Sequence, residues 1–145
     1  MKITRHTDYA LRLLMIVAVR SERTTVGKAA DVLRVSRHHL VKIAKRLGEL
    51  GYLELVRGKS GGVSLARPPR EINVGRVFRE LENSILVECF DHHVNQCIFA
   101  GGCTLEGAFR SAFEAFCAEL DRVTLADLVR EHRGPRAVLG LVEIG

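Results

Sequence analysis

The sequence predicts a mainly α-helical fold with a small β-hairpin wing: a winged helix-turn-helix followed by a long helix. Three observations predict it. Two short stretches of helical period, opened by Thr25 and Ser36, meet at the tight turn Arg34-Val35. A basic, glycine-rich turn over 57–62 then separates two strand-like segments. Beyond them Leu105, Phe109, Ala112, Phe113, Phe116, Leu120 and Val123 recur at three-and-four spacing after Thr104.

Taken in order, Thr7 or Asp8 is expected to cap a first helix ending near Val19. Leu11, Leu14, Met15 and Ala18 form its apolar stripe, widened by Ile16 and Val17. A polar break over 21–24 follows, and Thr25 caps a second helix over 26–33. Ser36 caps a third that runs to about Leu50 with Leu40, Ile43, Leu47 and Leu50 inward, and Gly51 stops it. Segments 52–56 and 63–66 read as the strands of a hairpin, and Pro68-Pro69 as a short linker. A fourth helix over 73–81 carries Val74, Val77, Phe78 and Leu81 on one face. Thr124 to Asp127 reads as the cap of a short last helix. The implied organisation is a winged helix-turn-helix DNA-binding domain (1–67), a linker helix and cysteine loop (68–103), a dimerisation helix region (104–130) and a C-terminal tail (131–145). Three phenylalanines on one stripe exceed what so small a domain buries by itself. A second copy in a two-fold homodimer is the plainest cover for them.

Composition agrees with a folded chain. Of 145 residues 47% are hydrophobic, the net charge is +5 and the pI about 9.3. That basic excess is compatible with nucleic acid. No apolar run reaches the length of a membrane span, and Asp8 and Arg12 interrupt the N-terminal one, so a cytoplasmic protein is expected. No nucleophile–base arrangement or phosphate loop points to an enzyme.

Two groups of residues carry chemistry. The third helix begins Ser36-Arg37-His38-His39 and continues with Lys42 and Lys45. The first turn of a recognition helix faces base edges, so Arg37, His38 and His39 are candidates for direct readout. Lys42 and Lys45 suit phosphates, and Arg57 and Lys59 at the wing tip suit a minor groove. The second group is the segment from Val87 to Leu105. Cys89, Cys97 and Cys103 are separated there by seven and five residues, with Asp91, His92, His93 and a Gly101-Gly102 pair between them. In a reducing compartment such cysteines are metal ligands or redox groups before they are disulfides. Three thiolates on a bending loop suit an iron–sulfur cluster. Zinc, which more often shows a close Cys-x2-Cys pair, and thiol-based peroxide sensing stay open beside it. Cys117, among Phe113, Phe116 and Leu120 on the long helix, reads as core packing.

Across nearly the whole chain the residues resemble the NsrR-type nitric-oxide-sensing repressors, within the larger set of dimeric winged-helix regulators that includes IscR and RirA. The matching pieces are 7–12 (TDYALR), 35–43 (VSRHHLVKI), 51–52, 56–63 (VRGKSGGV), 86–90 (LVECF), the three cysteines and 124–129 (TLADLV). The resemblance implies a homodimer on a palindromic double-stranded DNA operator. It implies one cluster per protomer, [4Fe-4S] favoured over [2Fe-2S], held by Cys89, Cys97 and Cys103. The fourth ligand it implies is Asp8 of the opposite protomer; His92 and His93 are the alternatives within the loop. IscR-type relatives use a histidine three residues after the last cysteine, where this chain has Glu106. Nitric oxide is then the expected signal: loss of the Asp8–iron bond would free the first helix and lower operator affinity. An iron- or cluster-status regulator and a zinc-stabilised DNA-binding module are the competing functions.

Overall fold

Short polar residues start most of these helices. In the computed structural model, which describes residues 3–20, 23–58, 61–82, 97–99 and 103–131, α1 spans Arg5–Val19. Its cap is Thr4, one turn earlier than the expected Thr7 or Asp8. The Thr4 hydroxyl accepts from the Thr7 N–H at 3.3 Å, and the Asp8 N–H already bonds the Thr4 carbonyl at 3.0 Å. The reason is a distant partner: Glu82 accepts from both the N–H and the hydroxyl of Thr4, at 3.0 and 3.1 Å. Asp8 becomes the acid of the first turn, where the helix dipole favours it.

Thr25 caps α2 (Val26–Leu33), accepting from the Lys28 N–H at 3.2 Å. Arg34 then takes a left-handed conformation, φ +54°, and Val35 N–H returns to the Ala30 carbonyl at 3.0 Å. This tight turn delivers the chain to α3 (Arg37–Glu49), where Ser36 holds the cap position without a side-chain cap bond. Gly51, at φ +75°, reverses the chain after α3, as the sequence suggests. The hairpin follows as β1 (Leu53–Val56) and β2 (Gly62–Leu65), antiparallel, with Leu53 opposite Leu65 and Val56 opposite Gly62. β1 starts one residue later than the expected 52–56, and β2 is shifted one residue earlier than the expected 63–66. Val63 also exchanges backbone hydrogen bonds with Thr24, tying the wing to the segment before α2.

A 3-10 turn (Pro69–Glu71) leads to α4 (Val74–Leu81), capped by Asn73. The long α5 (Thr104–Asp121) begins after Cys103, and α6 (Leu125–Glu131) closes the described chain. Thr124 and Asp127 cap α6 reciprocally: Asp127 accepts from the N–H and hydroxyl of Thr124, while the Asp127 N–H bonds the Thr124 hydroxyl.

One apolar cluster joins these elements. Leu13 and Leu14 of α1, Leu40, Ile43 and Leu47 of α3, Tyr52, Val63, Val77 of α4 and Leu125 of α6 are all buried in it. α1 lies at its centre, packed against α2, α3, α4, α6 and β2. Against this core α5 is placed unevenly. Phe113 and Phe116 meet Phe78 of α4, ring centroids 6.4 and 5.3 Å apart, and Cys117 is buried beside them as core. Leu105 and Phe109, on the same sequence stripe, remain 62% and 38% exposed.

The α4–α5 junction is close-packed at Gly75. A Cβ there would collide with the Asp121 carboxylate and lie 2.8 Å from the Asp121 backbone nitrogen. Asp121 is itself fixed by Arg79 and, through its carbonyl, by Asn73 at 2.7 Å. Gly75→Ala is therefore expected to lower stability by about 1–3 kcal/mol, read as a drop in the urea midpoint.

Candidate nucleic-acid interface and cysteine site

The buried face of α3 is set by Leu40, Ile43, Ala44 and Leu47. Helical geometry turns the other side outward. His38, Val41, Lys42 and Lys45, spaced i, i+3, i+4 and i+7, form one exposed stripe. Lys42 makes no ion pair among the described residues, and Lys45 approaches Glu49 only at 3.9 Å. Arg37 is exposed at the start of the helix, its guanidinium over Gly27 near the N-terminus of α2, where an added Cβ would be 3.6 Å from Cζ. Ser36 is exposed just before it, and Arg57 is exposed at the end of β1. Lys59 lies outside the described residues.

His39 is placed differently from its neighbours. Its ring turns to α1, edge-on to Tyr9 at 5.8 Å and tilted against His6 at 6.5 Å. Burial, then the charges of His39 and Arg46, hold the His6 imidazole below its usual range, while Glu82 pulls the other way. His39, expected as a candidate for base readout, thus also forms a contact between α3 and the first helix. Sequence spacing alone gives no sign of this, because the partner residues are thirty positions away.

A second polar group fixes the far end of α3 relative to the wing and α4. Tyr52, fully buried, donates to Glu80 at 2.6 Å, and Arg76 donates to the same carboxylate at 3.0 Å. Arg67 lies over the Tyr52 ring, 5.3 Å from its centroid, and donates to the Gly51 carbonyl at 3.0 Å. Burial first, and then the bond to Glu80, push the Tyr52 hydroxyl up to about 12. Burial works against the charge on Glu80, yet the bonds from Tyr52 and Arg76 hold it below the usual carboxylate range. A raised tyrosine value means that the folded state holds the proton more tightly. Its contribution is complete below pH 10 and is lost as the pH climbs from 10 through about 12. Tyr52→Phe is expected to cost about 1.5–3 kcal/mol at neutral pH and to remove that part of the alkaline loss of stability, seen in chemical denaturation at pH 8 and pH 11.

Of the cysteine segment, Cys97 and Cys103 are described and both are half-buried. Cys103 occupies the N-cap position of α5 without a side-chain cap bond, at the helix end that favours negative groups. Between them Ile98 and Phe99 are exposed. Cys89, Asp91, His92 and His93 lie outside the described residues. Asp8 is on the exposed side of α1, accepting from Arg12 at 2.9 Å. Among the described residues no three His, Cys, Asp or Glu side chains converge on a metal position.

A helix-turn-helix with a hairpin after its second helix, and an outward basic stripe on that helix, defines a winged-helix DNA-binding protein. The chain belongs to the Rrf2 family: residues 3–131 match the family described as iron-dependent transcriptional regulator. It is 43% identical over 142 residues to the HTH-type transcriptional regulator NsrR of Geobacillus kaustophilus, covering 96% of this chain and 97% of that one. It is 38% identical to NsrR of Bacillus subtilis over 146 residues, 99% of this chain and all of the relative. Among solved structures, oxidized Staphylococcus aureus CymR superposes with a TM-score of 0.74 at 25% identity, over 91% of this chain and 98% of that one. The T. potens IscR chain gives 0.73 at 23% identity, over 90% and 88%. The protein is a transcriptional regulator of this family, and no described helix is long and apolar enough to cross a membrane.

Proposed function

We propose that the chain is a dimeric repressor whose affinity for a palindromic operator is controlled by a nitric-oxide-sensitive iron–sulfur cluster. Cys89, Cys97 and Cys103 would hold it in each protomer, with Asp8 of the opposite protomer as the fourth ligand to a [4Fe-4S] form. The donor set fits: Cys97 and Cys103 offer soft thiolates, and the N-terminus of α5 suits an anionic group beside Cys103. When bound, the cluster supplies irons that react with nitric oxide. The exposed Leu105 and Phe109 support the homodimer, since a partner helix would cover them.

One observation carries the reading: α1 bears Asp8 and touches both ends of the control path. At its start Thr4 is held by Glu82, the last described residue before the cysteine segment. Two residues beyond Thr4, His6 and then Tyr9 meet His39 of α3. A pull on Asp8 or on the chain after Glu82 therefore reaches α3 through ring contacts, changing the presentation of Arg37, His38 and Lys42 to DNA. Ser36, Arg57 and Lys59 would add contacts around that helix and the wing tip.

The test is an anaerobic nitric oxide titration followed by visible spectroscopy, with operator binding measured in parallel. A visible absorption band that bleaches in step with operator release is expected; a colourless, zinc-loaded protein overturns the reading. The iron-dependence in the family's description favours a second reading, in which iron supply is the signal. Operator release by an iron chelator but not by nitric oxide would select it.

A further inference from the structure

We infer that Val41 is a specificity-determining residue that reads the 5-methyl group of thymine in the major groove. The inference rests on the assignment of α3 as the recognition helix. Val41 is the only large apolar side chain of α3 on its exposed side, and 46% of it is open. The four inward positions of the helix are already filled by Leu40, Ile43, Ala44 and Leu47, and Val41 lies apart from that cluster. Its neighbours one turn away on the same face are Arg37, His38 and Lys45, with Lys42 beside it.

That setting selects the occupant. A lone branched apolar group ringed by cations is a poor seat for an apolar protein surface, because the cations would lose water without gaining a counter-charge. A DNA groove satisfies both demands. The phosphates answer Lys42 and Lys45, and the thymine methyl is the one apolar group that the major groove displays. Arg37 and Val41 are one helical turn apart, about 5–6 Å between Cβ atoms, against a base-pair rise of about 3.4 Å. The thymine should therefore lie within about two base pairs of the guanine that Arg37 contacts.

The experiment uses the full-length protein prepared anaerobically. An operator is first selected from a random duplex library by the protein itself, and each thymine is then replaced singly by deoxyuridine, which removes only the methyl group. One thymine per half-site is expected to lose about fourfold in affinity, the equivalent of one buried methyl. Val41→Ala, which favours the helix, should bind the thymine and deoxyuridine operators equally, and Val41→Thr should keep part of the discrimination through its methyl. No sensitive thymine, or the same discrimination in Val41→Ala, would overturn the assignment. Failure to select any operator would instead overturn the DNA-binding reading, and this inference with it.

Discussion

An Asp8→Ala variant is expected to bind operator about 5–150-fold more weakly than wild type under anaerobic conditions, with no further loss on exposure to nitric oxide. The expectation follows from where Asp8 sits. It lies one turn after Thr4 and between the two rings that touch His39. Its only described partner in the chain is the exposed Arg12 pair, which is worth little by itself. Loss of Asp8 should therefore leave folding nearly unchanged while removing the grip on α1. A companion, His39→Ala, separates transmission from ligation. It leaves every proposed ligand in place, so the visible spectrum should still bleach with nitric oxide while operator affinity responds less. Gel shift and spectroscopy on the same samples decide between them. An Asp8→Ala protein that releases operator as wild type does would sink the coupling.

The second large effect is on DNA itself, and two residues of α3 should fail in different ways. Arg37→Ala is expected to cost about 1–3 kcal/mol of operator affinity and to relax the preference at one base pair. Lys42→Ala should weaken all sequences alike and flatten the dependence of binding on salt by about one unit of slope. Titrations at several salt concentrations, on operator and on random DNA, separate the two signatures. If Arg37→Ala weakened both DNAs equally, Arg37 would be a phosphate contact.

The sequence made the helices and the wing legible because their causes are local. Leu40, Ile43 and Leu47 lie on one face by spacing alone, and Thr25, Asn73 and Thr124 cap through bonds that span three residues. It misled where a distant residue decides. Thr4 and Thr7 are equally good caps in isolation, and Glu82 chooses between them. The contact of the His39 ring with His6 and Tyr9 joins α3 to α1 and has no local signal. The Tyr52–Glu80 bond likewise joins residues 28 apart and has no local signal. Residue type and spacing make Cys97 and Cys103 candidate ligands, whereas the N-cap position of Cys103 required the helix itself.

The central place of α1 also sets the order in which the molecule can form. The first helix made on the ribosome finds its cap partner 78 residues later, and its buried face shares a core with Leu125, near the end of the described chain. Until α4 and α6 emerge, α1 lacks two of the elements that pack against it. Contacts that close so late favour slow folding and a nascent chain with exposed apolar surface. Removing α6 should therefore leave the earlier helices unable to complete their packing, even though the helix-turn-helix and the wing precede it. The last described helix is needed to finish the first.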